Sequence, residues 1–144
     1  MTSGTDFTGL ELWYEQVVLS VGQPNVNVSY LNESSVARTT GVQTAPVAPM
    51  ISSRMFRIPL TLGDKGISGV TGVVGGGATV GSFNLLILRR LGGARSRVIS
   101  DLTTQDFLAT GMPQIWEDSA LITIVTPDST STGTFQISVD IASA

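Results

Sequence analysis

The chain has 144 residues, a net charge of −3 and only 13% charged residues, with no cysteine and no histidine. That length suits one domain with a core of its own. The missing residue types exclude disulfides, thiolate metal sites and the imidazole that usually serves as general base, metal ligand or switch near neutral pH. A surface this poor in charge suits a chain that covers much of itself with neighbours.

Met1 to Gly9 has neither a basic start nor an apolar run, so no export signal is expected. No stretch reaches the ~20 apolar residues of a membrane helix. The triplets Asn27-Val28-Ser29 and Asn32-Glu33-Ser34 match the glycosylation acceptor, and without an export signal they read as chance.

Residues 1–15 are set apart as an extended N-terminal arm, a polar start followed by Leu10, Leu12, Trp13 and Tyr14. The segment either caps the open end of a sandwich or docks on a neighbour, Trp and Tyr being common anchors. Residues 16–144 are read as the β-sandwich domain. Gln16–Val21 and Asn25–Leu31 read as two strands around Gly22-Gln23-Pro24, with Val26, Val28 and Tyr30 on one face and Asn25 and Asn27 on the other. Residues 32–54 show no sustained period and read as a long loop or a second arm.

Met55–Leu62 alternates again, and Pro59, which has no N–H to donate, favours an edge or a bulge. Ile67–Val74 is strand-like but broken by Gly69 and Gly72, and Gly75-Gly76-Gly77 reads as a hairpin tip. Val80–Arg90 is a long strand whose apolar centre, Phe83 to Leu88, suits cover on both faces. Leu91-Gly92-Gly93-Ala94 turns it back into Arg95–Ser100. A short helix is expected near 103–110, with Thr103 as N-cap, Asp106 at the third helical position, and Gly111 and Pro113 as the stop. Ser119–Ala142 reads as a terminal hairpin: Leu121, Thr123 and Val125, then a polar break, then Phe135, Ile137, Val139 and Ile141 in strict alternation. About eight or nine strands with frequent turns predict an all-β, antiparallel two-sheet β-sandwich of jelly-roll type.

No motif supplies catalytic machinery. Gly75-Gly76-Gly77-Ala78-Thr79-Val80-Gly81 has Val80 where the dinucleotide spacing needs glycine, and no Lys-Ser or Lys-Thr follows it. The acid pairs Glu117/Asp118, Asp101/Asp106 and Glu11/Glu15 are close only in sequence, and neighbours on a strand face opposite ways. Asp128 offers a single carboxylate where calcium wants several oxygens in one loop. The serines have no histidine and no Ser-x-x-Lys partner. The expectation is therefore a non-enzyme, with no catalytic residue, no cofactor and no metal.

Charge is unevenly spread. Lys65, Arg89, Arg90, Arg95 and Arg97 fall between residues 65 and 100, with no acid among them. Such arginines either protect a sheet edge from aggregation or dock on an acidic patch of a partner or of another copy. Nucleic acid would call for interleaved aromatics or a larger basic face.

The strand pattern from Gln16 to Ile141, the arm-like start Thr2 to Tyr14, the Ser/Thr/Gly-rich turn Pro127–Gly133 and the lack of Cys and His resemble small bacteriophage virion proteins, especially capsid decoration or cement proteins. The resemblance implies a non-enzymatic protein, often a homotrimer, on the outer capsid surface of the virion. Its partners would be the major capsid protein and copies of itself, with no nucleic acid, membrane or small-molecule substrate. Phe7, Leu10, Trp13 and Tyr14 would then anchor the arm, and Arg89, Arg90, Arg95 and Arg97 would supply charge complementarity. The competing readings are a tail-fibre or carbohydrate-binding sandwich using Trp13, Tyr14 or Trp116 as a platform, and another tail or neck component.

Overall fold

The computed structural model describes residues 6–93 and 120–125. The chain divides into two compact units, Met1–Met112 and Pro113–Ala144. Among the described residues the first holds an antiparallel sheet with strands β1 (Leu10–Asn32), β2 (Ala37–Thr44), β3 (Met55–Ile58) and β4 (Ile67–Arg89). In the second unit, residues 120–125 lie outside any strand, and Leu121, Ile122 and Val125 are exposed. The rest of the expected terminal hairpin, the expected helix at 103–110 and the expected strand at 95–100 lie outside the described residues. Among the described residues there is no helix.

β1 and β4, each 23 residues long, form one ribbon from Leu10 opposite Arg89 to Asn32 opposite Ile67. The other edge of β1 is paired in series. β2 takes its C-terminal part, with Asn25 opposite Thr44 and Leu31 opposite Ala37. β3 takes its N-terminal part, with Leu12 opposite Ile58 and Glu15 opposite Met55. Between them the chain keeps contact through Ala45 N–H to the Pro24 carbonyl, Ser20 N–H to Met50 and Gln16 N–H to Arg54.

The ribbon doubles back on itself. A straight strand from Leu12 to Tyr30 would span about 60 Å at ~3.3 Å per residue. Yet Ile58 sits opposite Leu12 while the Thr61 N–H donates to the Tyr30 hydroxyl at 2.8 Å. Three residues of chain reach at most ~11 Å, so the two ends of β1 lie together. The same closure brings Thr8 into a bridge with Gly66 next to the Asn32–Ile67 pair. In consequence the even-numbered residues Leu12, Tyr14, Val26, Val28 and Tyr30 share one buried cluster with Ala45, Met50, Ile58 and Ile67. Burial of that cluster is the main favourable term in the fold.

Three expectations change here. Residues 10–15 are not an arm, because β1 runs through them without a break. Gly22-Gln23-Pro24 does not separate two strands and Gly75-Gly76-Gly77 is not a hairpin tip; both are where the paired ribbon bends. Residues 32–54 are not all loop, since they contain β2. In addition β3 stops at Ile58, before Pro59, and Phe83 and Ile87 of β4 are more than one-third exposed rather than covered on both faces.

The loop 59–66 is fastened to the closed end by two carboxylates, Glu33, which accepts from the N–H groups of Lys65 and Gly66, and Asp64. Asp64 accepts from the Tyr30 hydroxyl at 2.6 Å and from Asn32 Nδ2 at 2.9 Å, and Arg38 Nε lies 3.6 Å away. The Asp64 side chain is only 6% exposed. These donors, Asn32 first and Tyr30 next, hold its carboxyl below the usual aspartate value of 3.8, with Arg38 adding a smaller pull. Burial, and then the neighbouring carboxylate, push the Tyr30 phenol up, so it stays a donor. A lowered folded-state pKa gives stability that is present above about pH 4 and is lost as pH falls below it, because the unfolded chain then binds the proton more readily. Thermal melts between about pH 2.5 and 6 should show an acid-labile limb. That limb should flatten in Asp64→Asn; parallel limbs in the two proteins would remove Asp64 as its cause.

Candidate functional site

Charge is segregated along the folded ribbon. β1 carries no charged residue from Gln16 to Asn32, β4 none from Ile67 to Leu88, and the edge chain none from Thr39 to Ser53. Most charges of the described residues gather toward the closed end, namely Asp6, Glu11, Glu33, Arg38, Arg57, Asp64, Lys65, Arg89 and Arg90, while Glu15 and exposed Arg54, which bonds to Gln16 and Ile51, border the bend. The bend is therefore a neutral pole and the closed end a charged one.

The bend has local causes. Ladder register shifts recur along β1 between Gln16 and Asn25, and each such irregularity bends and twists a strand. Gly22, Gly77 and Gly81 have φ of 85°, 74° and 123°, a region that only glycine occupies without strain. At Gly77 a Cβ would strike the Gln23 carbonyl oxygen. Buried Gln16 crosses the ribbon here: its Oε1 accepts from the Tyr14 hydroxyl at 2.7 Å, and its Nε2 donates to the carbonyls of Val18 and Ser82.

The same irregularity breaks the alternation of β1. Val17, Val18 and Leu19 are exposed in succession, Ser20 is buried, and Val21 is exposed again, so four apolar side chains stand 41–55% in water. Ile51 lies beside them, on the segment that bonds β1 through Ser52 Oγ to the Val17 carbonyl and Ser20 N–H to Met50. Adjoining exposed apolar side chains of this kind are common on interaction surfaces.

The expected site residues divide. Tyr14 is core rather than anchor: it is buried, with its ring stacked between Phe56 and Phe83 at 4.8 Å from each. Leu10 packs against the same cluster. Phe7 is half-buried, and its carbonyl accepts from the Leu10 N–H. Trp13 lies on the odd-numbered face, half-buried, with Nε1 donating to Glu11 at 3.0 Å while Arg57 pairs with the other Glu11 oxygen at 3.3 Å. Arg89 closes onto its own chain, donating to the Asp6 carbonyl at 2.7 Å, and Arg90 is exposed. Arg95 and Arg97 lie outside the described residues. Among the described residues no three acidic side chains converge as a metal site would need.

Sequence reasoning passed over Val17, Val18, Leu19 and Val21 as a surface, because strict alternation puts Val17, Leu19 and Val21 on one face and Val18 on the other. The readable signal was the long uncharged runs on β1 and β4. No protein-family model matches the chain, and neither a curated protein nor a solved structure is significantly similar to it.

Proposed function

We propose that this is a non-enzymatic virion structural protein of the capsid-decoration type, which binds the outer capsid surface and stabilises contacts between coat subunits. Its fold on this reading is a two-sheet antiparallel sandwich of jelly-roll kind, made by folding one long ribbon. The observation that supports an adhesive role is the division into a neutral apolar pole and a charged pole. Each apolar Å² removed from water at the neutral pole contributes about 25 cal/mol. The charged pole, with exposed Arg90 beside Arg89, offers the groups that set orientation on a different surface. Many modest contacts of this sort give stable adhesion without any reacting group.

The test is made on the particle. Capsids lacking the protein should still assemble but rupture at a lower temperature, and adding the purified protein back should restore the wild-type rupture temperature. Failure of any capsid to form would make the protein coat or scaffold. Intact, heat-stable particles that no longer adsorb to cells would favour the receptor-binding reading.

A further inference from the structure

We propose that the neutral pole is where copies of this chain meet each other, through Val17, Val18, Leu19, Val21 and Ile51. The inference rests on the adhesive reading and assigns one of its partners to one surface.

The argument is about which occupant this pole can accept. A charged surface buried against it would lose hydration and find no counter-charge but Arg54 at the margin beside Ile51, at a penalty of several kcal/mol per unpaired ion. Nucleic acid, an acidic protein patch and anionic lipid headgroups are disfavoured on that ground. A different protein recognised here would lack the charge complementarity that normally selects a partner and fixes its register. The pole of a second copy meets every requirement. It is uncharged over the same runs, Gln16–Asn32, Thr39–Ser53 and Ile67–Leu88, so bringing two together creates no like-charge repulsion. It presents the same small branched side chains, and its polar neighbours Ser52, Ser53 and Ser82 are neutral hydroxyls that can pair across a rotation axis or hold water.

The area is consistent with a closed oligomer. Five side chains about half exposed offer roughly 400 Å² per copy, so that a pair removes roughly 800 Å², which is modest for a specific interface. Among the described residues, the outer edge of β4 has no ladder partner, and it runs beside the patch, with Ser82 opposite Val18. Backbone pairing along that edge would bring the total into the range of a stable interface. Pairing of that edge with its own copy is isologous and closes two copies, whereas contact through the apolar side chains alone closes two or three. The charged ends are then left pointing away and free to meet another surface.

The full chain is measured by sedimentation equilibrium between about 1 and 200 μM, where interfaces of this size dissociate. The expected result is a concentration-dependent oligomer of two or three copies. Leu19→Asp and, independently, Val21→Lys should each weaken it at least tenfold. Leu62→Asp, at a fully exposed residue of the loop 59–66 at the closed end, should leave it unchanged. Far-ultraviolet circular dichroism and melting of each variant show whether it is folded; both pole residues are half exposed, so folded monomers are expected. A wild-type monomer at 200 μM would overturn the proposal, as would folded pole variants that still assemble or dissociation by Leu62→Asp. These outcomes are separate from the capsid test. A wild-type monomer that still protects particles from heat would remove the self-contact and leave the decoration reading standing. An oligomer that gives particles no protection would do the reverse.

Discussion

Tyr14→Ala should lower the stability of the sheet by about 3–5 kcal/mol, the range for removing a large buried aromatic side chain. The tyrosine is 2% exposed and lies between two rings, with interplanar angles of 25° to Phe56 and 17° to Phe83. Phe56 comes from β3 and Phe83 from β4, the strands on either side of β1, so the stack clamps three strands together. Loss of the ring leaves a cavity that neither neighbour can fill without leaving its own strand. It also takes a donor from Gln16 Oε1 at the point where Gln16 crosses the ribbon. Tyr14→Phe separates these effects: it keeps the stack, removes only the hydroxyl, and should lose about 1 kcal/mol. Urea unfolding followed by circular dichroism measures both. If Tyr14→Ala were no worse than Tyr14→Phe, the stack would not be holding the strands.

Gly77→Ala should be about as damaging, with a loss of about 3 kcal/mol or more, though it adds one methyl group far from the core. Left-handed backbone accounts for roughly 1–2 kcal/mol of this. The rest comes from contact of the new Cβ with the Gln23 carbonyl and with Asn25 Nδ2 at 2.8 Å. The carbonyl is backbone and cannot swing aside, so β1 and β4 must part where they bend. Gly41→Ala is the matched control. Its φ is +67°, and nothing lies within 4 Å of its added Cβ. Only the backbone term should appear there, and the difference between the two variants reads the steric closeness of the bend. Equal losses would mean that β1 and β4 are not pressed together at Gly77.

The inward face was legible where alternation was strict. Val26, Val28 and Tyr30 point into the core as their two-residue period implies. The same rule applied to Leu10, Leu12 and Tyr14 against Glu11, Trp13 and Glu15 would have found the start of β1. The adjacent aromatic pair Trp13-Tyr14 drew attention to docking instead. Glycine and proline at 22–24 and 75–77 did signal departure from a straight strand. What they cannot encode locally is whether the chain reverses into a hairpin or two paired strands bend together. That choice depends on a partner about fifty residues away in sequence. β2 was missed because Thr39, Thr40, Gly41 and Gln43 carry no apolar stripe; it is held by the β1 ladder and by bonds such as Thr39 Oγ1 to Asn27 Oδ1 at 2.6 Å. The exposed valines were hidden for the opposite reason, since a register shift moves Val18 off the face that its position predicts. The arginine cluster was visible in the sequence, but the closure of Arg89 onto Asp6 depends on the ribbon's length and could not be.

The order of synthesis bears on β1. Its first residue, Leu10, pairs with Arg89, so the earliest strand to be made waits for the last one in the sheet. At bacterial or slower translation speeds, about 5–20 residues per second, that interval is several seconds. Throughout it Leu12, Val26 and Val28 have no β4 to cover them, and a nascent chain in that state is prone to join its neighbours on the same message. The doubled-back ribbon thus places the period of greatest risk on the ribosome, before the sheet can close.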